Sequence, residues 1–205
     1  MKQYILLLFS CITFLSYGQK IDEVFKTMPD EFLPAFTEAD KTMLLVDSNL
    51  SVIPYALGEI EKLAYNDTFL SIKTSEVGTM QIKLLPLVNN TQIVTVIKTV
   101  CGKVCDSNIR FFSKEWEEID KGSILPQISP LTFFDSSKAD TPEFKWVLSH
   151  IDMFPLSYHF RNGSDNLEVT FDFKKYLSPQ DLQKVSPYLH KETVDLIWNK
   201  STFVL

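Results

Sequence analysis

The sequence predicts an α+β domain: a mainly antiparallel sheet, made of a β-meander plus a hairpin, with helices packed on one face. Three observations predict it. Apolar residues switch from a helical period to a period of two near Ile60 and keep it as far as Phe112. The strands so marked are joined by links too short for the crossovers that parallel neighbours require. A second helix followed by a second run of strands then closes the chain, which is the order of an α+β fold.

In chain order, Met1 to Gly18 reads as an address. Lys2 gives a positive start, Tyr4 to Tyr17 is almost wholly apolar, and small Ser16 and Gly18 stand where a signal peptidase reads, so cleavage before Gln19 is expected. The run is shorter than the ~20 apolar residues of a bilayer span. A buried core helix and a lipoprotein signal at Cys11 are the competing readings. The lysine-led start speaks against the first, and the short apolar stretch before Cys11 against the second. Removing the first 18 of 205 residues leaves 187, enough for a single domain over 19–205 that needs no metal to build its core.

Ile21 to Met28 is a short helix stopped by Pro29. Thr37 and Asp40 have the spacing of a capping box, and Phe36, Ala39, Met43, Val46 and Leu50 recur as a helical stripe that ends at Asp47-Ser48-Asn49. Ile60 to Tyr65 is a strand. Leu70 and Ile72 alternate with Ser71 and Lys73, and Met80, Ile82 and Leu84 with Thr79, Gln81 and Lys83, which predicts strands with one wet face. Gln92 to Val100, rich in β-branched residues, is a central strand, and Ser107 to Ser113 is its neighbour. Lys121 to Asp140 is a connection with at most one short strand. Thr141-Pro142 starts a helix whose stripe is Phe144, Val147, Leu148 and Ile151. Leu156 to Arg161 and Leu167 to Phe173 form a hairpin, Ser178 caps a brief helix, and Thr193 to Trp198 and Thr202 to Leu205 are edge or closing strands.

The net charge is −6, and Lys and Arg are scattered with no run longer than Lys174-Lys175, which excludes the basic stripe that nucleic acid or an anionic membrane surface requires. The chain has no G-x-S-x-G elbow, glycine-rich phosphate loop or H-E-x-x-H, so no cofactor, metal or catalytic residue is assigned.

Cys101 and Cys105 are the sharpest pair. An exported protein meets an oxidising compartment, and the ends of a hairpin loop satisfy disulfide geometry. A structural disulfide is the expected state, with two free thiols as the alternative. His150, His159 and His190 could be drawn with Asp152 or Asp172 into an acid/base site, but the strand and helix patterns turn His150 and His159 toward water. Glu168 and Asp172 share the wet face of one strand. Trp116, Trp146 and Trp198 are candidate surface aromatics for a partner, with partial burial as the competing reading.

Cys101-Gly-Lys-Val-Cys-Asp-Ser107, the strand Ile109 to Phe112, and Trp116 resemble an uncharacterised family of secreted Bacteroidetes proteins, a domain of unknown function. Phe25 to Met28-Pro29, the helix end at Asp47 and the closing Trp198-Asn199 with Phe203 support the likeness. The resemblance implies export and a mixed α/β domain, and brings no catalytic residue.

The leading functional expectation is an exported protein, periplasmic or secreted. It would bind an envelope protein, glycan or lipid without catalysis, and would not span the membrane once the signal is cleaved. A hydrolase using His159 or His150 with a carboxylate is the alternative, and a lipid or lipoprotein carrier the second. The three differ in what they require: an aromatic patch or groove, a converged histidine site, or an apolar cavity of ~300 Å³ or more.

Overall fold

A computed structural model describes residues 20–46, 51–56, 58–138, 141–149, 151, 153–175 and 177–205. The expected signal segment, the helix end at 47–50, His150 and Asp152 lie outside them. The described residues fold into a seven-stranded sheet, a four-stranded sheet and five short α-helices, all strand pairs among them being antiparallel.

The first helices are α1 (Ile21–Lys26) and α2 (Glu38–Val46). The capping box forms as read. Thr37 Oγ1 accepts from the Asp40 amide at 3.2 Å, and Asp40 Oδ2 accepts from the Thr37 amide at 2.9 Å. The predicted stripe is corrected. Met43 and Val46 are 61% and 79% exposed, and the buried face is Lys41, Leu44 and Leu45. A lysine fits this face because its stem packs while its ammonium donates to the Met28 carbonyl at 2.7 Å.

The meander runs β1 (Val52–Tyr55), β2 (Gly58–Asn66), β3 (Phe69–Lys73), β4 (Gly78–Pro86), β5 (Gln92–Cys101), β6 (Cys105–Phe112) and β7 (Glu118–Ile119), paired in that order. The short β1 and β7 extend the expected meander at both edges. The expected wet face of β4 is also corrected, since Gln81 and Lys83 are 6% and 2% exposed. One face of the large sheet carries α1, α2 and the 28–36 segment, whose Phe25, Phe32 and Phe36 meet Leu70, Ile82 and Phe112. The other is covered by the small sheet, so the central strands are buried on both sides.

After β7 comes a one-turn helix, α3 (Lys121–Ile124), where at most a strand was expected; the Asp120 carboxylate caps it by accepting from the Ser123 amide at 3.0 Å. Helix α4 (Pro142–Ser149) starts at Thr141, whose hydroxyl accepts from the Phe144 amide. Strands β8 (Ser157–Phe160) and β9 (Leu167–Thr170), helix α5 (Pro179–Val185), capped by Ser178, and strands β10 (Thr193–Trp198) and β11 (Phe203–Val204) complete the chain. The small sheet has the order β11-β10-β9-β8. Its core is a phenylalanine network in which Phe171 sits 5.4 Å from Phe133, 4.7 Å from Phe154 and 5.0 Å from Phe173. Aromatic pairs of this kind add roughly 0.5–1.5 kcal/mol each beyond the area they bury.

Edge strand β8 lies across β4, β5 and β6. Its outward backbone groups are completed by side chains of the large sheet. Asp106 accepts from the Leu156 amide, Ser107 Oγ from the Tyr158 amide, and Gln81 Oε1 from the Phe160 amide at 2.9 Å. Lys83 reaches Asp165, in the β8–β9 turn, at 2.7 Å. Polar residues on alternate positions of β4 are therefore the joint between the sheets.

Candidate functional site

The two cysteines lie directly opposite each other across the β5–β6 hairpin, Cα atoms 4.0 Å apart, with their sulfurs at disulfide distance, 2.06 Å. Gly102 closes the turn by donating to the Val104 carbonyl at 2.9 Å. Intact protein purified without reductant should gain the mass of two hydrogens on reduction of this pair, read by mass spectrometry; an unchanged mass would rule the bridge out.

The tryptophans have separate environments. Trp198 is 8% exposed, packs 4.9 Å from Phe203 and donates its indole N–H to the Pro86 carbonyl at 2.7 Å, so it belongs to the core. Trp116 is half-buried. Its backbone has φ +66°, a costly left-handed conformation for a bulky residue. The ring lies 5.4 Å from Phe32 and 5.5 Å from Phe112, and the indole donates to Thr27 Oγ1 at 3.3 Å. Trp116 thereby clamps the 28–36 segment to β6. Arg110 covers the rings of Phe32 and Phe112 and forks onto Glu118 with two 2.9 Å bonds, while Glu31 takes a third at 3.0 Å. The bonds to Glu118 dominate in raising its already high pKa.

Trp146 is the tryptophan that borders open space. It lies on α4 with Pro142 and Val147, and faces Gln183, Lys184, Pro187 and Tyr188 of α5 and the turn after it across a groove of about 580 Å³. The Lys184 ammonium sits 4.9 Å from the Trp146 ring, and Lys138 lies 5.5 Å from the Tyr188 ring while donating to the Pro187 carbonyl at 2.9 Å. Cations over aromatic faces are attracted by the ring quadrupole. Glu143 also lines the groove. Of the groove's residues, Trp146 is the one the sequence marks, because its partners lie some forty residues downstream on α5 and the turn after it.

His159 is exposed on β8, as expected. Gln81 Oε1 is committed to the Phe160 amide, so its Nε2–H points at His159 Nδ1, 2.9 Å away, and the imidazole accepts there. His190 is exposed beyond the turn at Ser186–Tyr188. Among the described residues no ion pair joins a histidine to a carboxylate, Asp172 is bound to Lys175 at 2.7 Å, and Glu168 pairs with Arg161. No group of three or more His, Cys, Asp or Glu side chains among them could hold a metal ion.

A second hollow lies against the helix-covered face of the large sheet. Phe32, Leu33 and Pro34 border it with Tyr55, Met80 and Lys98, and its volume is about 190 Å³. Burial pushes the Lys98 amine below the usual lysine range, against the opposing pull of Glu31.

A family model described as a protein of unknown function (DUF3256) matches residues 13–203. The chain belongs to the DUF3256 family. A solved structure, that of a domain of an uncharacterized protein from Porphyromonas gingivalis W83, has a TM-score of 0.81 at 20% identity, over 92% of this chain and 98% of that one. At that identity the likeness establishes the shared fold. A search of curated proteins finds no match. The DUF3256 fold thus sets the scaffold, and the chemistry of the site has to be read from the grooves themselves. No helix among the described residues is long and apolar enough to cross a membrane.

Proposed function

We propose that this DUF3256 protein is an exported, non-enzymatic interaction module. It grips an apolar segment of an envelope protein between α4 and α5, with an acidic group of that segment on Lys184. The observation that carries the reading is the open aromatic groove of Trp146, Tyr188, Pro142 and Pro187. Aromatic residues are enriched at interfaces because one ring offers a large rigid apolar face with a polar edge. Lys184 makes no ion pair among the described residues and is held on the Trp146 ring, so an incoming carboxylate meets a positioned cation. The signal-like Met1 to Gly18 and the cysteine pair support export. The lipid-carrier alternative has less support, because the hollow beside the helices, at about 190 Å³, falls below the ~300 Å³ at which such sites begin.

A photo-crosslinking residue placed at Gln183 tests this in the native cell. One adduct is expected from position 183 and none from Lys114 on the far turn, with roughly tenfold loss when Lys184→Glu is added, about 1.4 kcal/mol. Equal adducts from both positions, or none from 183, would overturn the reading.

A further inference from the structure

The hollow bordered by Phe32, Leu33 and Pro34 is independent of the α4–α5 groove and holds an unmatched set of donors. Lys98 sits 5.5 Å from the Phe32 ring and makes no ion pair or hydrogen bond within the described residues. Its nearest carboxylate influence is Glu31, and that group is engaged by Arg110 at 3.0 Å. Thr74 and Ser75 also border the cavity with hydroxyls that bond to nothing described. They fold over Gly78, where an added Cβ would stand 2.7 Å from Ser75 Oγ and 2.9 Å from Thr74 Oγ1, so the glycine keeps this wall open. The Tyr55 hydroxyl, by contrast, is committed to the Pro34 carbonyl at 2.8 Å and presents its ring edge as part of the apolar wall.

We propose that this cavity binds a small apolar monocarboxylate. The carboxylate lies on the Lys98 ammonium with help from the Thr74 and Ser75 hydroxyls, and the hydrocarbon body packs on Phe32, Leu33 and Met80. One cation with two neutral donors matches a single negative charge; phosphate groups call for more cations or a nest of backbone amides. The volume of about 190 Å³ is below that of drug-sized sites and suits a body of roughly leucine size. Such a group occurs either as a free short-chain acid or as the carboxyl-terminal residue of an apolar-ended peptide.

The test is an NMR titration of the Met80 methyl resonance with four probes: hexanoate, hexanamide, acetyl-Ala-Ala-Leu with a free carboxyl group, and the same peptide amidated. Saturable shifts are expected with at least one acid. The matching amide should bind at least about tenfold more weakly, and Lys98→Met should weaken the acid by a similar factor, since a charge-assisted bond is worth about that much. Lys98→Arg should retain binding. The Lys98 side chain is exposed, although β5 is a central strand, so its variants keep the fold, which circular dichroism checks. Tighter binding of hexanoate assigns the free acid as source, and tighter binding of the peptide assigns a chain terminus. Absence of saturation with both acids, equal affinity for acid and amide, or an unaltered Lys98→Met variant would overturn the proposal. None of these outcomes bears on the groove between α4 and α5.

Discussion

Replacing Asp165 with alanine is expected to destabilise the protein by about 2–3 kcal/mol, whereas replacing its partner Lys83 with methionine should cost less than about 1 kcal/mol. The Lys83 side chain is 3% exposed and its ammonium has Asp165 at 2.7 Å, with Thr68 Oγ1 at 3.3 Å as a weaker acceptor. Removing the carboxylate leaves a charged group between two sheets with one hydroxyl for solvation. Removing the charge and keeping the stem's volume leaves an apolar rod between the sheets and an Asp165 carboxylate that still reaches water. The Asp165 side chain is 42% exposed, so water makes up part of the loss, which places the effect below that of a fully buried pair. Denaturant unfolding gives both numbers from midpoint shifts at unchanged slope. The thermal midpoint of Asp165→Ala should fall by roughly 4–12 °C. The double variant should recover most of that fall. Should Lys83→Met prove the more harmful change, the ion pair itself would be the net stabiliser and the argument fails.

Gln81→Leu is expected to cost about 2–4 kcal/mol, although leucine has nearly the same bulk and is more apolar. Glutamine at this point completes a strand. Its Oε1 accepts from the Phe160 amide at 2.9 Å, and its Nε2 reaches the Phe160 carbonyl at 3.4 Å and His159 at 2.9 Å. Phe160 is fully buried, so neither of its backbone groups finds water when the amide is gone. A core-volume argument predicts near neutrality for the same substitution, so the experiment separates the two effects. Hydrogen exchange adds locality. The Phe160 amide should lose protection more than amides of β10, and uniform loss across the small sheet would point instead to general loosening.

These two residues also show where sequence reading stops. The helix starts were legible because a cap is local: Thr37 with Asp40, Thr141 with Phe144 and Ser178 with Asp181 lie within one turn of each other, and all three form. The meander was legible because its alternation and short links are also local. The polar face of β4 misled because alternation reports only that Gln81 and Lys83 share a side, and a polar side chain reads the same whether water or another strand completes it. What completes it arrives some eighty residues later, at Phe160 and Asp165. The stripe of α2 went astray for a related reason. Lys41 is charged and so does not read as part of an apolar face, yet its ammonium donates to the carbonyl of Met28, in the preceding loop. Of the α4–α5 groove, Trp146 was visible and Tyr188, Pro187 and Lys184 were not, since nothing local ties residue 146 to residue 188. His159 was placed correctly at the surface, but its bond to Gln81 depends on the same distant docking.

The strand boundaries carry a consequence for how any partner can attach. Each sheet has two outer strands. In the large sheet these are β1, which is four residues long and contains Pro54, and β7, which is two residues long. In the small sheet they are β11, again two residues, and β8, whose outward main chain is already matched by Asp106, Ser107 and Gln81. Among the described residues, these four end strands themselves offer a foreign polypeptide only short runs of vacant amides and carbonyls. The opening lies one strand further in, because β11 pairs with Ile197 and Trp198 alone and leaves the outer main chain of β10 uncovered from Thr193 to Leu196. A strand added by a partner or by a second copy has room beside β10 for only a few residues before it meets β11.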